Sequence, residues 1–153
     1  MAKYPNPNEY TKLGILSIPA GDHRVKIINV TKKIYGSSGK EGFEITLRVS
    51  GRRGLLWYWL VRDPDDEVRF YKKLQSFFWS FDILDQDISH YEQWIGKYGA
   101  VRVRHSVDEE TKYIKAYVFY CLYGVQKDVL PAFYDITEMK TKKMEFYINE
   151  TNK

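Results

Sequence analysis

The sequence predicts an all-β fold with an inserted helix: five strands closing a barrel, in the chain order β-β-β-α-β-β. Residues 43–49, Phe-Glu-Ile-Thr-Leu-Arg-Val, alternate apolar and polar with the two-residue period of a half-buried strand. By contrast, Phe70, Leu74, Phe77, Phe78 and Phe81 recur at helical spacing. Two more alternating runs then flank the polar turn Asp108-Glu109-Glu110-Thr111.

Residues 1–17 are polar, with Pro5 and Pro7, and read as a flexible N-terminal arm. Pro19-Ala20-Gly21-Asp22 is a turn that launches the first strand, His23 to Lys33. Val25 and Ile27 fall on one of its faces; Arg24, Lys26, Ile28 and Val30 fall on the other. Long first strands switch faces at bulges, so the alternation is carried no further than Ile28. Tyr35-Gly36-Ser37-Ser38-Gly39-Lys40-Glu41-Gly42 is a mobile hairpin loop, decorated by Lys32, Lys33, Tyr35 and Lys40. It is not a phosphate-binding P-loop, because no Gly-Lys-Ser/Thr ending and no helix follow.

In the second strand Phe43, Ile45, Leu47 and Val49 face one way, and Glu44, Thr46 and Arg48 the other. Ser50-Gly51-Arg52-Arg53-Gly54 turns into the third strand. There Leu55, Trp57, Trp59 and Val61 share one face, and Leu56, Tyr58 and Leu60 the other. Both faces are apolar, so one packs the core and the other waits for a flat apolar partner or a dimer seam. Asp63 is placed to cap the helix, Pro64 suits its first position, and the helix runs to about Phe81. Ser89-His90-Tyr91-Glu92 reads as a capping box for a short second helix ending near Gly96, with Trp94 packing it to the barrel.

The fourth strand, Tyr98 to Ser106, alternates Val101 and Val103 against Arg102 and Arg104. The fifth, Lys112 to Tyr123, alternates Ile114, Ala116, Val118 and Tyr120 against Tyr113, Lys115, Tyr117 and Phe119. After Gly124 the pattern dissolves, and residues 124–153 read as a partly disordered tail with a short ordered piece at Pro131 to Tyr134. Residues 18–123 are thus the domain. The chain order is that of a five-stranded OB barrel, although an SH3-like barrel or an α+β sandwich gives a similar string.

The composition narrows the function. Aromatic content of 16% with a net charge of +4 matches proteins that stack bases on aromatics and guide phosphates with cations. Positive charge is concentrated in the strand regions: residues 1–66 carry a surplus of +4 and residues 96–123 of +2. The helical region 67–95 is acidic at −2. Opposite the core side lie Arg48, Arg102, Arg104, Tyr113, Lys115, Tyr117 and Phe119, cations interleaved with aromatics. On an OB barrel that outer face carries single-stranded nucleic acid, where each stacked base is worth about 1–3 kcal/mol. Lys26, Lys32, Lys33, Tyr35 and Lys40 join the candidate contacts, with Trp57 and Trp59 either stacking bases or serving the core or a dimer interface.

Enzymatic readings find little support. Asp63, Asp65, Asp66 and Glu67 could bind Mg²⁺, but a helix cap explains the same residues. Asp82, Asp85 and Asp87 lack the glycine and closing glutamate of a Ca²⁺ loop. His23, His90 and His105 are far apart, and Cys121, the lone cysteine, reads as an inert buried thiol. No catalytic constellation, metal or cofactor is expected. No run of 18 apolar residues suggests a membrane span, and the N-terminus lacks the apolar stretch of a signal peptide. With no disulfide to form, the expected setting is cytoplasmic.

A resemblance adds to this reading. The chain combines Pro19-Ala20-Gly21-Asp22, a Gly/Ser-rich hairpin, the Phe-Glu-Ile-Thr-Leu-Arg-Val strand, a Trp-rich third strand and a Leu-x-x-Phe-Phe helix. Trp94-Ile95-Gly96-Lys97-Tyr98-Gly99 then leads into an Arg-bearing strand. Over residues 18–122 it resembles the phage-encoded OB-fold single-stranded DNA-binding proteins of phages of Gram-positive bacteria. The resemblance implies single-stranded DNA binding in phage DNA replication or recombination, a homodimer, and a host bacterial cytoplasm. It also implies that Lys97 opens the fourth strand near the nucleic-acid groove, and that a phage recombinase or replication proteins are partners. The chain departs from the bacterial-type pattern of an acidic recruiting tail, since residues 124–153 balance to zero charge. The alternative is a structural or adaptor protein whose aromatic face contacts protein or forms an oligomer.

Overall fold

The computed structural model describes residues 18–36 and 39–136. The predicted arm of residues 1–17, Ser37 and Ser38 of the hairpin loop, and residues 137–153 of the predicted tail lie outside the described residues. The elements are β1 (Gly21–Tyr35), β2 (Lys40–Val49), β3 (Leu55–Val61), α1 (Glu67–Ser80), a 3₁₀ segment (Ile88–Trp94), β4 (Tyr98–Val107), β5 (Ile114–Leu122) and a short α2 (Val125–Asp128).

The strands form one antiparallel sheet in the order β3-β2-β1-β4-β5. β1 holds it together, because its first half pairs with β4 from Gly21 to Lys26 while Val25 to Tyr35 pair with β2. The β1–β2 register slips between Ile27 and Asn29, a bulge that bends the strand. The sheet curls until its edge strands β3 and β5 approach each other, giving a barrel-like, mostly β fold.

The alternation of β2 is borne out: Phe43, Ile45, Leu47 and Val49 are buried. So are Leu56, Tyr58 and Leu60 of β3, while both tryptophans of that strand point outward. The apolar stripe of α1 is buried against these strands, with Phe77 fully enclosed. Trp94 is buried edge-on to Phe43 and Phe77, with ring centroids 5.1 Å from each, and so fastens the 3₁₀ segment to the barrel. Ser80 ties α1 to β4: its hydroxyl donates to the Ala100 carbonyl at 2.8 Å and accepts from the Ala100 N–H at 3.0 Å. Beside this tie Gly99 lies under the Phe81 ring so closely that an added Cβ would sit 2.7 Å from ring carbons.

Local expectations give way at several positions. Val30 faces the core with Val25 and Ile27, not away from them, because the bulge inserts one residue before it. Tyr120 likewise leaves the predicted core face. The β4–β5 register slips between Arg102 and Val103, so Tyr120 pairs with Arg102 outside and Cys121 turns inward. Asp66, not Asp63, caps α1, accepting from the Arg69 N–H at 3.3 Å. Asp63 instead closes a preceding turn: its carbonyl accepts from the Asp66 N–H and its side chain from the Asp65 N–H, both at 3.0 Å. The second helix is a 3₁₀ segment capped by Asp87, whose carboxylate takes both the backbone N–H and the hydroxyl of Ser89.

The segment after β5 is anchored. Arg24 donates to the carbonyls of Lys127 and Leu130 at 3.2 Å each, and the Gly51 N–H donates to the Tyr134 carbonyl at 2.7 Å. Phe133 packs edge-on to Tyr98 at 5.1 Å. These contacts lay residues 127–134 along the outer side of β1 and β4.

Candidate nucleic-acid interface

The seam between β3 and β5 is where predicted candidates converge. Inside it, burial pushes the Tyr58 phenol far above its ordinary value, and the neighbouring Cys121 adds to the rise. Burial pushes the Cys121 thiol up to about 12. Lys73 of α1 closes the gap from the side. Its ammonium donates to the Trp59 carbonyl at 3.1 Å and lies 4.9 Å from the Tyr58 ring centroid. Lys73 is exposed as a residue, yet its charge is tucked into the seam, and desolvation there holds its pKa below the usual lysine value.

Outside the seam, Trp57 and Trp59 are 42% and 38% exposed. The Lys115 ammonium of β5 lies 5.8 Å from the Trp59 ring centroid, so the two edge strands meet on a single outer surface. Farther along β5, Tyr117 pairs with Arg104 of β4, whose guanidinium stacks 3.6 Å from the centroid of Phe119. Phe119 occupies the β5 bulge, which leaves its ring 41% exposed. Tyr113 is exposed beside the β4–β5 turn. On the β2 side, Arg48 stands across from Leu55, on the same face as Trp57 and Trp59. Trp57, Trp59, Lys115, Tyr117, Phe119, Arg104 and Arg48 are therefore the predicted candidates on the outer surface of the two edge strands and their neighbours.

Other predicted candidates are engaged elsewhere. Arg102 donates to Asp22 at 2.7 Å and 3.1 Å and to the Tyr120 hydroxyl. Its guanidinium holds the Asp22 carboxyl below the usual carboxylate range, so its charge is already matched. Lys33 is ion-paired with Glu44, and Lys40 with Asp63 at 3.4 Å. Lys26 lies over the Tyr98 ring, 5.5 Å from its centroid, next to the segment that carries Phe133. Lys32 pairs across from the buried Phe43, on the side opposite Lys33, and lines a small cleft with Phe70 and Ile88. Tyr35 is half-buried with its ring against Gly42, so it belongs to the barrel wall more than to the loop tip. Lys97 lines a cleft with Asp82, Asp85 and His90 by the 3₁₀ segment. There Asp85, 2.7 Å from the His90 ring, raises the histidine pKa.

Lys73 is the contributor that sequence reasoning missed. Its position beside Leu74 on the helical stripe was legible, but its reach to the Trp59 carbonyl depends on how α1 crosses the β3 edge.

No protein-family model matches the chain, and no curated protein matches it either. Among the described residues, no group of three or more His, Cys, Asp or Glu is placed to hold a metal ion, and no helix is long and apolar enough to cross a membrane.

Proposed function

We propose that this chain is an OB-type barrel that binds single-stranded DNA without sequence preference, stacking bases on outward aromatics and neutralising phosphates with Lys and Arg. The observation that carries the reading is the pair Trp57 and Trp59, half-exposed on β3 with Lys115 reaching over Trp59 from β5. Large aromatics left open to water beside cations have a ready partner in a base and its phosphate. Support for the OB assignment comes from a bent β1 shared by β2 and β4, the approach of β3 to β5, and a helix between β3 and β4. In this reading the protein is a non-enzymatic homodimer that acts in phage DNA replication or recombination, as the sequence resemblance implies.

The test is fluorescence anisotropy of labelled oligo-dT, with unlabelled DNA, matched RNA and duplex as competitors. The reading expects competition by single strands and affinity that falls steeply with salt. Absence of binding at low salt overturns it.

A second reading, contact between protein surfaces, is favoured by Trp79 and Tyr123. Their rings lie 5.0 Å apart, each about half exposed, and neither is among the candidates on the outer surface of β3 and β5. A stable oligomer whose mass ignores DNA supports it; a DNA-dependent change in mass favours the first reading.

A further inference from the structure

The acidic average of residues 67–95 hides a cationic surface. The three basic residues of that stretch are Arg69, Lys72 and Lys73, which recur at i, i+3 and i+4 and so share one side of α1. The acids that outweigh them, Asp82, Asp85, Asp87 and Glu92, fall beyond the end of the helix, apart from Glu67, which is ion-paired with Arg62 at 2.8 Å. Like charges at this spacing repel, by about 0.2–0.5 kcal/mol per pair, and folding alone gives no reason to place them together. Among the described residues none of the three forms an ion pair.

Two clefts run past these side chains. The first, about 270 Å³, is lined by Trp59 and Val61 of β3, by Lys40, Asp63 and Asp66, and by Arg69, Phe70 and Lys73 of α1. The second, about 440 Å³, continues along the helix past Arg69, Lys72 and Lys73 to Ser76. Because both include Asp66, Arg69 and Lys73, they form one groove that starts at the exposed indole of Trp59. Its carboxylates are occupied: Asp63 pairs with Lys40, and Asp66 caps the helix.

We propose that single-stranded nucleic acid leaves the sheet at Trp59 and continues along α1, its phosphates held by Arg69 and Lys72, while Lys73 stays tied to the Trp59 carbonyl. This rests on the reading of the chain as a single-strand binder and extends the site onto a helix that carries none of the candidates read from the sequence. Trp59 offers an exposed stacking surface in the first cleft, and the second cleft offers cations with no aromatic lining, which suits backbone and not bases.

The test is the double variant Arg69→Ala/Lys72→Ala in the full chain. Lys73 is left in place because it tethers Trp59. Binding of oligo-dT of about 4 and about 16 nucleotides, the limits of typical OB site sizes, is measured across a salt series. For the long strand, the slope of log affinity against log salt is expected to shallow by about 1.4, which is about 0.7 for each phosphate no longer neutralised. Affinity for the short strand stays at the wild-type value. A charge-keeping variant, Arg69→Lys/Lys72→Arg, is expected to restore the long-strand slope, which separates removal of charge from a disturbed helix. An unchanged long-strand slope, or equal losses on both lengths, overturns the helix track while leaving the sheet site intact. Failure of the wild-type protein to bind either strand removes the single-strand reading and the track with it.

Discussion

Replacing Trp59 with Ala removes the indole that joins the β3–β5 surface to the α1 groove while keeping the carbonyl that Lys73 binds. Two separate costs follow. An aromatic side chain of this size, 38% exposed here, keeps roughly 125 Å² out of water, worth at most about 3 kcal/mol of folding stability. For a chain of 153 residues that lowers Tm by roughly 6–12 °C. If the ring stacks one base, binding weakens by a further 1–3 kcal/mol or about 5- to 140-fold in affinity. The assay is anisotropy of labelled oligo-dT well below the melting temperature of the variant, with circular dichroism confirming that it is folded. The salt slope is expected to stay at its wild-type value, because the indole carries no charge, and Trp59→Phe is expected to recover most of the affinity. A folded Trp59→Ala protein that binds oligo-dT as tightly as wild type refutes the stacking assignment and returns Trp59 to a structural role.

The two arginines of β4 are expected to separate cleanly. Arg104→Ala, removing a cation stacked on an exposed ring, is expected to shallow the salt slope of oligo-dT binding by about 0.7 with little change in Tm; an unchanged slope takes Arg104 out of the interface. Arg102→Ala is expected to lower stability in urea titrations at neutral pH by breaking its hydrogen bonds with Asp22 and Tyr120. Because Arg102 depresses the Asp22 pKa, the stabilisation is fully present above the unfolded carboxylate value of about 3.9 and fades as pH falls through the lower folded value. The gap between wild type and variant is therefore expected to narrow on acidification, and a gap independent of pH contradicts the pairing. Gly99→Ala is expected to cost about 1–3 kcal/mol in the same titrations, since its Cβ would sit 2.7 Å from the Phe81 ring. Cys121, buried with its thiol pushed up to about 12, is expected to resist a thiol reagent in the folded protein at neutral pH and to react on unfolding.

What could be read from the sequence follows from where a repeating pattern meets a single buried face. The alternation of β2 was legible because that strand buries one side only, and the stripe of α1 because its phenylalanines all point at the sheet. The outward tryptophans were legible as a choice between two faces, which packing of Leu56, Tyr58 and Leu60 resolves. Tyr120 was misplaced because one bulged residue in β5 reverses every later side chain, and nothing in composition marks that bulge, whereas in β1 the slip falls at Ile28, the point beyond which the alternation was not carried. The pairing of Arg102 with Asp22 joins residues 80 apart in the chain, so only the β1–β4 register makes it visible. Arg69, Lys72 and Lys73 were hidden by averaging their charge with acids that lie past the end of α1. Lys33, Lys40 and Arg102 were each read as cations for phosphate, and each has a carboxylate partner within the fold.

On the proposed reading, the outward aromatics of β3 and the cations beside them hold single-stranded DNA. Titrating the wild-type protein with oligo-dT at low salt, and following intrinsic tryptophan fluorescence, tests it most directly. Saturable quenching is expected as bases stack on Trp57 and Trp59, reversed by added salt as small cations displace Lys and Arg from the phosphates. Unchanged fluorescence with no bound oligonucleotide at low salt would contradict it.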